Sequence, residues 1–366
     1  MKRFYLIALL LVFAALPSFA ETQKDSLPEE QPRISIRFDA RLDGEITGYK
    51  SLDGTELAPD QTYDAGFLGQ YFNFMIDGTI SKHFSYSMRQ RLIKANTLPL
   101  SFLNSIDWLY LKYNINRNFS ITAGKQAVFI GGYEYDANPI DIYFWSGFMS
   151  GVPSGYEIGF NVGFESNDGN HRIMAQMVNS PFAPHEFMME KLFAYNLIWY
   201  GHLGCFHPIY SFNMIEYEQG KYINYIALGN RWNAGRFQFD LDYTNRAKFN
   251  QEGFFKDFSV GAKIEYAVAD RWMIFLKGGY DQNLVQNPTI EQAMTFDRVV
   301  LPGTQYCYYG GGVEYYPIKK LRNKLRIHAF FHSNQDVSKN PDMEHPTRMP
   351  FTFNIGVRWQ FKAFER

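Results

Sequence analysis

The sequence predicts an all-β fold, a transmembrane antiparallel β-barrel of about 16 strands, and three observations predict it. Aromatic residues make up 18% of the chain, with 34 Phe and 25 Tyr, yet the mean hydropathy is only -0.30. Segments of about ten residues alternate apolar and polar side chains, as strands facing lipid on one side and water on the other must. The connections between these segments alternate short and long. A formal net charge of -1 argues against a general nucleic-acid binder, which needs a basic surface. Two cysteines are too few for a disulfide framework.

The N-terminus reads as a leader. Lys2 and Arg3 precede an apolar run from Leu6 to Ala15, and Ser18-Phe19-Ala20 offers a small-x-small cleavage site. That run is too short to cross a bilayer as a helix. The expected organisation is a signal peptide (1–20), a short periplasmic segment (21–33), one barrel (34–361) and a C-terminal tail (362–366). Leader and barrel together place the chain in the outer membrane of a Gram-negative cell, in contact with its lipid.

The alternation is clearest in Phe84-Ser85-Tyr86-Ser87-Met88-Arg89-Gln90-Arg91-Leu92. At period two both arginines line one face, opposite Phe84, Tyr86, Met88 and Leu92. The last strand repeats it: Phe351, Phe353, Ile355, Val357, Trp359 and Phe361 alternate with Thr352, Asn354, Gly356, Arg358 and Gln360. Strands are expected near 34–48, 67–79, 84–94, 105–115, 119–127, 156–165, 171–179, 193–202, 206–217, 221–231, 235–245, 256–267, 271–281, 304–316, 324–334 and 350–361. Tight turns at 81–83, 114–118, 167–170, 233–235 and 269–270 alternate with long loops. The exception is Glu218-Gln219-Gly220-Lys221, which is short on the long side. A soluble sandwich has no reason to put its long loops on one side.

Near the C-terminus, Asn354-x-Gly356-x-x-Trp359-x-Phe361 resembles the signal that barrel-assembly machinery reads, which makes Gly356, Trp359 and Phe361 candidate assembly residues. The third long loop, near 127–155, is the longest and therefore the one most expected to carry function. Lys125, Glu134, Asp136 and Asp141 lie at or in it, beside Gly131-Gly132.

Ile106-Asp107-Trp108-Leu109-Tyr110-Leu111-Lys112-Tyr113, a turn, and then Ile121-Thr122-Ala123-Gly124-Lys125-Gln126 resemble the front half of the phosphate-selective porins O and P. The resemblance implies a porin-like channel for passive diffusion of small hydrophilic solutes, with anions such as phosphate as candidates. It implies a homotrimer of sixteen-stranded barrels, and a third loop folded into the lumen as a constriction, formed here by Lys125, Glu134, Asp136 and Asp141. This loop reads acidic and lacks the dense lysines of phosphate-selective members.

Parity assigns the lumen wall. Arg37, Arg41, Arg89, Arg91, Arg326 and Arg358 all point inward, on strands that closure makes near neighbours. They are expected to form a basic arc opposite the acidic loop, attracting anions through its field. Inward Glu157, Asn161, Glu165, Asp240 and Asp242 occupy other parts of the wall.

An outer-membrane barrel hydrolase and an adhesin or structural barrel are the competing classes. No Gly-rich phosphate cradle, Cys-x-x-Cys or His-Glu-x-x-His occurs, so no enzyme, cofactor or metal is expected. His328 and His332 share a strand face but sit roughly 13 Å apart. His202 and His207 flank a short turn and are the one pair that could meet. Cys205, in a short turn, and Cys307, near a long loop, fall at opposite ends of the barrel, beyond the roughly 7 Å Cα limit for a disulfide. Oxidised and reduced protein should therefore migrate identically on a denaturing gel; a shift mapping to this pair would contradict the topology.

Overall fold

A computed structural model describes residues 32–52, 54, 62–94, 105–151, 155–182, 192–248, 255–284, 304–319, 324–337 and 348–366. The expected leader, residues 21–31 of the next segment and the tips of most long loops lie outside the described residues.

Sixteen strands follow one another: β1 (Arg33–Ser51), β2 (Tyr63–Thr79), β3 (Phe84–Lys94), β4 (Ile106–Asn114), β5 (Phe119–Ala127), β6 (Tyr156–Glu165), β7 (His171–Asn179), β8 (Phe193–Gly201), β9 (Phe206–Glu218), β10 (Lys221–Ala234), β11 (Phe237–Lys248), β12 (Asp257–Ala269), β13 (Trp272–Asn283), β14 (Thr304–Tyr315), β15 (Leu325–Asp336) and β16 (Arg348–Glu365). Each pairs antiparallel with its chain neighbours, and β1 pairs with β16 to close the barrel. Closure leaves no strand edge with unpaired backbone groups facing lipid.

All sixteen expected strands are present, several longer than side-chain alternation indicates. Tyr63 to Gly66 already pairs with Glu45 to Gly48, ahead of the expected start of β2. Ladders continue above the apolar band, where alternation fades because both faces meet water. The C-terminal boundary needs a correction. Residues 362–365 are not a tail but the end of β16, with Ser35 opposite Glu365 and Arg37 opposite Lys362. Because β1 begins at Arg33, its first residues would otherwise be an open edge.

The usual distribution of side chains is inverted. Leu42, Leu109, Ile158, Leu276 and Ile355 are exposed, whereas Asp39, Arg41, Arg89, Asn213, Asp281 and His328 are buried. A soluble protein buries the first set and exposes the second. Here the apolar set faces outward to lipid, and the outward Phe38 and Phe361 stack at 5.0 Å across the closing seam.

The connection from β5 to β6 is the one long connection described almost throughout. It contains helix α1 (Tyr133–Asp136), a 3-10 turn (Pro139–Asp141) and helix α2 (Gly147–Gly151). Its apolar residues pack on inward-facing ones: Phe144 on Phe275, Tyr308 and Phe330, and Val128, Ile130 and Phe148 among Val178, Ile215, Tyr225 and Ala227. At Gly131 the connection lies directly on the wall. A Cβ there would sit 2.9 Å from the Ile209 carbonyl oxygen and 3.0 Å from the Ser211 nitrogen. Gly132 adopts φ 102°, a conformation that disfavours side chains, and a Cβ on Gly229 opposite would meet its Cα at 2.7 Å.

Replacing outward-facing Ile355 with Arg should cost about 2–4 kcal/mol if it lies near the bilayer midplane. Asn354→Ala, which loses an inward hydrogen bond to Glu45, should cost about 1 kcal/mol. Unfolding titrations in lipid vesicles compare the two; equal sensitivity would contradict the assignment of faces.

Candidate functional site

The inward wall and the β5–β6 connection form one polar network. Phe129 donates its backbone N–H to Gln176 on β7 (3.0 Å), and Gly131 donates to Ser211 on β9 (2.7 Å). Asp242 on β11 accepts the backbone N–H groups of Tyr133 and Glu134, both at 2.8 Å. These are the exposed donors of the first turn of α1, and Gly132 before them has no side chain to cap them. A wall carboxylate supplies the cap.

Farther round the wall, Lys277 on β13 donates to Glu134 (2.7 Å) and to the Phe144 carbonyl (2.6 Å). Asp281, also on β13, accepts the Gly147 N–H at 2.9 Å. Tyr143 donates to Glu314 on β14, and Arg326 on β15 donates to Asp141 at 2.8 Å. Arg358 on β16 approaches the same Asp141 oxygen at 3.3 Å. Arg41 on β1 donates to the Ile142 carbonyl at 2.6 Å, and its guanidinium lies 5.0 Å from the Tyr143 ring centroid. Residues that leave the sheet between β5 and β6 thus bond to strands on its far side.

The six arginines expected to line the lumen do face inward, and each is at ion-pair distance from a carboxylate. Arg37 pairs with Asp77, Arg41 with Asp43, and Arg89 and Arg91 share Asp107. Arg326 pairs with Asp141 and Glu314, and Arg358 with Asp141. Arg41 and Asp43 are almost fully buried, where an unpaired charge would be costly. An open arc of positive charge is therefore corrected to a row of ion-paired arginines, five carboxylates for six guanidinium groups, with Arg89 and Arg91 sharing Asp107.

The loop acids also have local partners. Glu134 accepts from Lys277 and from the Ser146 N–H (2.8 Å), Asp136 from the Tyr200 hydroxyl (3.0 Å), and Asp141 from the arginines. Burial raises the Asp136 carboxyl above the ordinary carboxylate range, opposed by the Tyr200 hydrogen bond, then by Arg172 and Arg231. Lys125 is not in the loop. It lies on β5 opposite Leu109 and Ile158, both exposed on the outer face, because β5 keeps its alternation through Ala127.

Of the assembly candidates, Trp359 and Phe361 fall on the outward face and Gly356 on the inward one, beside Asp43 and His328. His202 and His207 do meet, with ring nitrogens 2.9 Å apart. Among the described residues no group of three metal-binding side chains forms.

Sequence reasoning missed Asp43, Asp77, Lys277 and Glu314, although strand parity could have found each beside an inward neighbour, and it weighed His328 only against His332. His328 lies 3.0 Å from Asp43. Asp107 carries no such signal. A bulge places Trp108 opposite Arg89 and Ile106 opposite Gln90, leaving Asp107 as the extra residue. It bonds to Arg89 at 2.7 Å.

Residues 43–190 match the family model described as phosphate-selective porin O and P. Among solved structures, the anion-selective porin from Comamonas acidovorans is similar at TM-score 0.63 and 9% identity, covering 90% of this chain and 100% of that one. The outer membrane channel DcaP of Acinetobacter baumannii gives 0.60 and 8%, covering 93% and 99%. Outer-membrane expressed OmpT of Vibrio cholerae gives 0.58 and 12%, covering 91% and 98%. At such identities these structures speak for the fold. No curated protein matches the chain in sequence. Residues 43–190, from β1 to the connection after β7, thus resemble the phosphate-selective porin O and P family, and the chain as a whole shares the closed-barrel fold of outer-membrane porins.

Proposed function

We propose that small hydrophilic solutes, inorganic phosphate among them, cross this barrel passively past a constriction made by residues 128–148. The observation that supports the reading is the bonding of that segment to inward side chains from β7 round to β1. With the wall arginines largely offset by carboxylates, charge selectivity is weak. The protein acts as a channel without catalysis. It reaches the outer membrane after leader cleavage near Ala20, and the barrel-assembly machinery reads Gly356, Trp359 and Phe361. It works there as a homotrimer, an expectation supported by the porin family match.

Refolded protein in planar bilayers should give ohmic single-channel steps. Replacing residues 131–148 with a short Gly-Ser linker should enlarge them severalfold. Unchanged conductance after this replacement would place the constriction elsewhere. Neutralising Glu134 and Asp136 together should shift the reversal potential in a salt gradient towards anions. Neutralising Arg89 and Arg91, which leaves Asp107 uncompensated, should shift it towards cations. Both shifts should shrink near 1 M salt, where the Debye length is about 3 Å.

A further inference from the structure

One part of the inward wall keeps uncompensated positive charge. A cavity of about 410 Å³ lies against β4 to β7 towards the short turns, and Phe129 at the start of the third connection reaches it. Lys112, Arg117 and Arg172 line it, against a single lining carboxylate, Glu165. Arg172 lies 4.8 Å from the Tyr200 ring centroid, and Arg117 donates to the Asn167 carbonyl at 3.1 Å. Among the described residues neither Lys112 nor Arg172 closes an ion pair, unlike the six arginines above.

The rest of the lining is rich in amides and hydroxyls. Gln126 is 3% exposed, and its carbonyl oxygen accepts from Asn161 and from Gln176, the latter at 3.1 Å. These two bonds fix the direction of the amide and leave its Nε2 without a hydrogen-bond partner. A buried donor without an acceptor is costly, and a ligand oxygen would satisfy it. Cations alone would suit a bare inorganic anion. Cations combined with amides and hydroxyls, in a volume within the roughly 300–1,000 Å³ range of small-molecule sites, suit an anion that also carries several hydroxyl groups.

We propose that this cavity is a binding subsite for a monosaccharide phosphate. Lys112 and Arg172 hold the phosphate, and Gln126 and Asn161 meet the sugar hydroxyls. The inference rests on the reading of the barrel as an open channel, and it adds a solute class to it.

The test is blockage of single-channel current in 0.1 M salt, where screening sets in only beyond about 10 Å. Glucose 6-phosphate, inorganic phosphate and glucose are added separately. Glucose 6-phosphate should interrupt the current at concentrations at least about tenfold below either of the others, as expected when charged and neutral hydrogen bonds act together. Lys112→Gln with Arg172→Gln should raise its half-blocking concentration about tenfold. Gln126→Leu should raise it less, and Lys319→Gln, an exposed charge near a short turn, should leave it unchanged. Equal blockage by phosphate would make this a plain anion site, and equal blockage by glucose a neutral sugar path; either result overturns the proposal. Steady conductance without blockage by any of the three overturns the subsite and leaves the channel standing. A barrel that never conducts overturns both.

Discussion

The hydrogen bonding of the backbone in hydrocarbon is the constraint on which everything else rests. Lipid offers no partner for a free N–H or carbonyl, so a sheet that enters a bilayer must close on itself. The ladder between β1 and β16 meets this requirement, from Ser35 opposite Glu365 to Ser51 opposite Arg348. Once the sheet is closed, its pleat divides the side chains between lipid and lumen, and everything that a solute or the third connection can touch lies on one parity. The inward arginines, their carboxylates and the anchors of the connection are consequences of that division.

Closure also creates a problem inside the barrel. A polar interior has no core, yet a connection bonded to its wall needs apolar support and satisfied backbone. The chain answers by placing Phe275, Tyr308 and Phe330 on the inward face of β13 to β15, where only polar residues would be expected. Beside them, Asp242 and Asp281 accept backbone N–H groups from the connection. The glycines at 131, 132 and 229 let two backbones approach without side chains between them. Each of these departs from simple alternation, and all occur where the connection is held.

Much of the architecture was legible in the sequence because a period of two is a strong signal when one face meets lipid. The strand count, the order of short and long connections and the inward direction of Arg41, Arg89 and Arg358 all follow from it. What parity cannot supply is the partner across a strand boundary, because register depends on bulges. Asp107 shows this: its alternation alone would aim it opposite to Trp108, and the bulge beside Arg89 turns it to the arginines. Lys125 was misplaced for a different reason: it lies within the strand expected over 119–127, and its parity there, opposite outward Leu109 and Ile158, outweighs its nearness to the loop. The pairing of the arginines was hidden for the same reason as Asp107. Each carboxylate was visible, but the neighbour facing it was not.

The third connection does not use the wall evenly. Its polar contacts gather on β7 to β11 and then on β13 to β16 and β1, while the cavity lined by Lys112, Arg117 and Arg172 opens on β4 to β7. The bonds that hold the connection and the basic cavity thus lie largely on different arcs of one cylinder. Residues such as Lys112, Thr122 and Asn161 can be exchanged for others without disturbing Lys277, Arg326 or Arg41. A barrel divided in this way can vary the lining of one arc while keeping on the other the bonds that hold the connection.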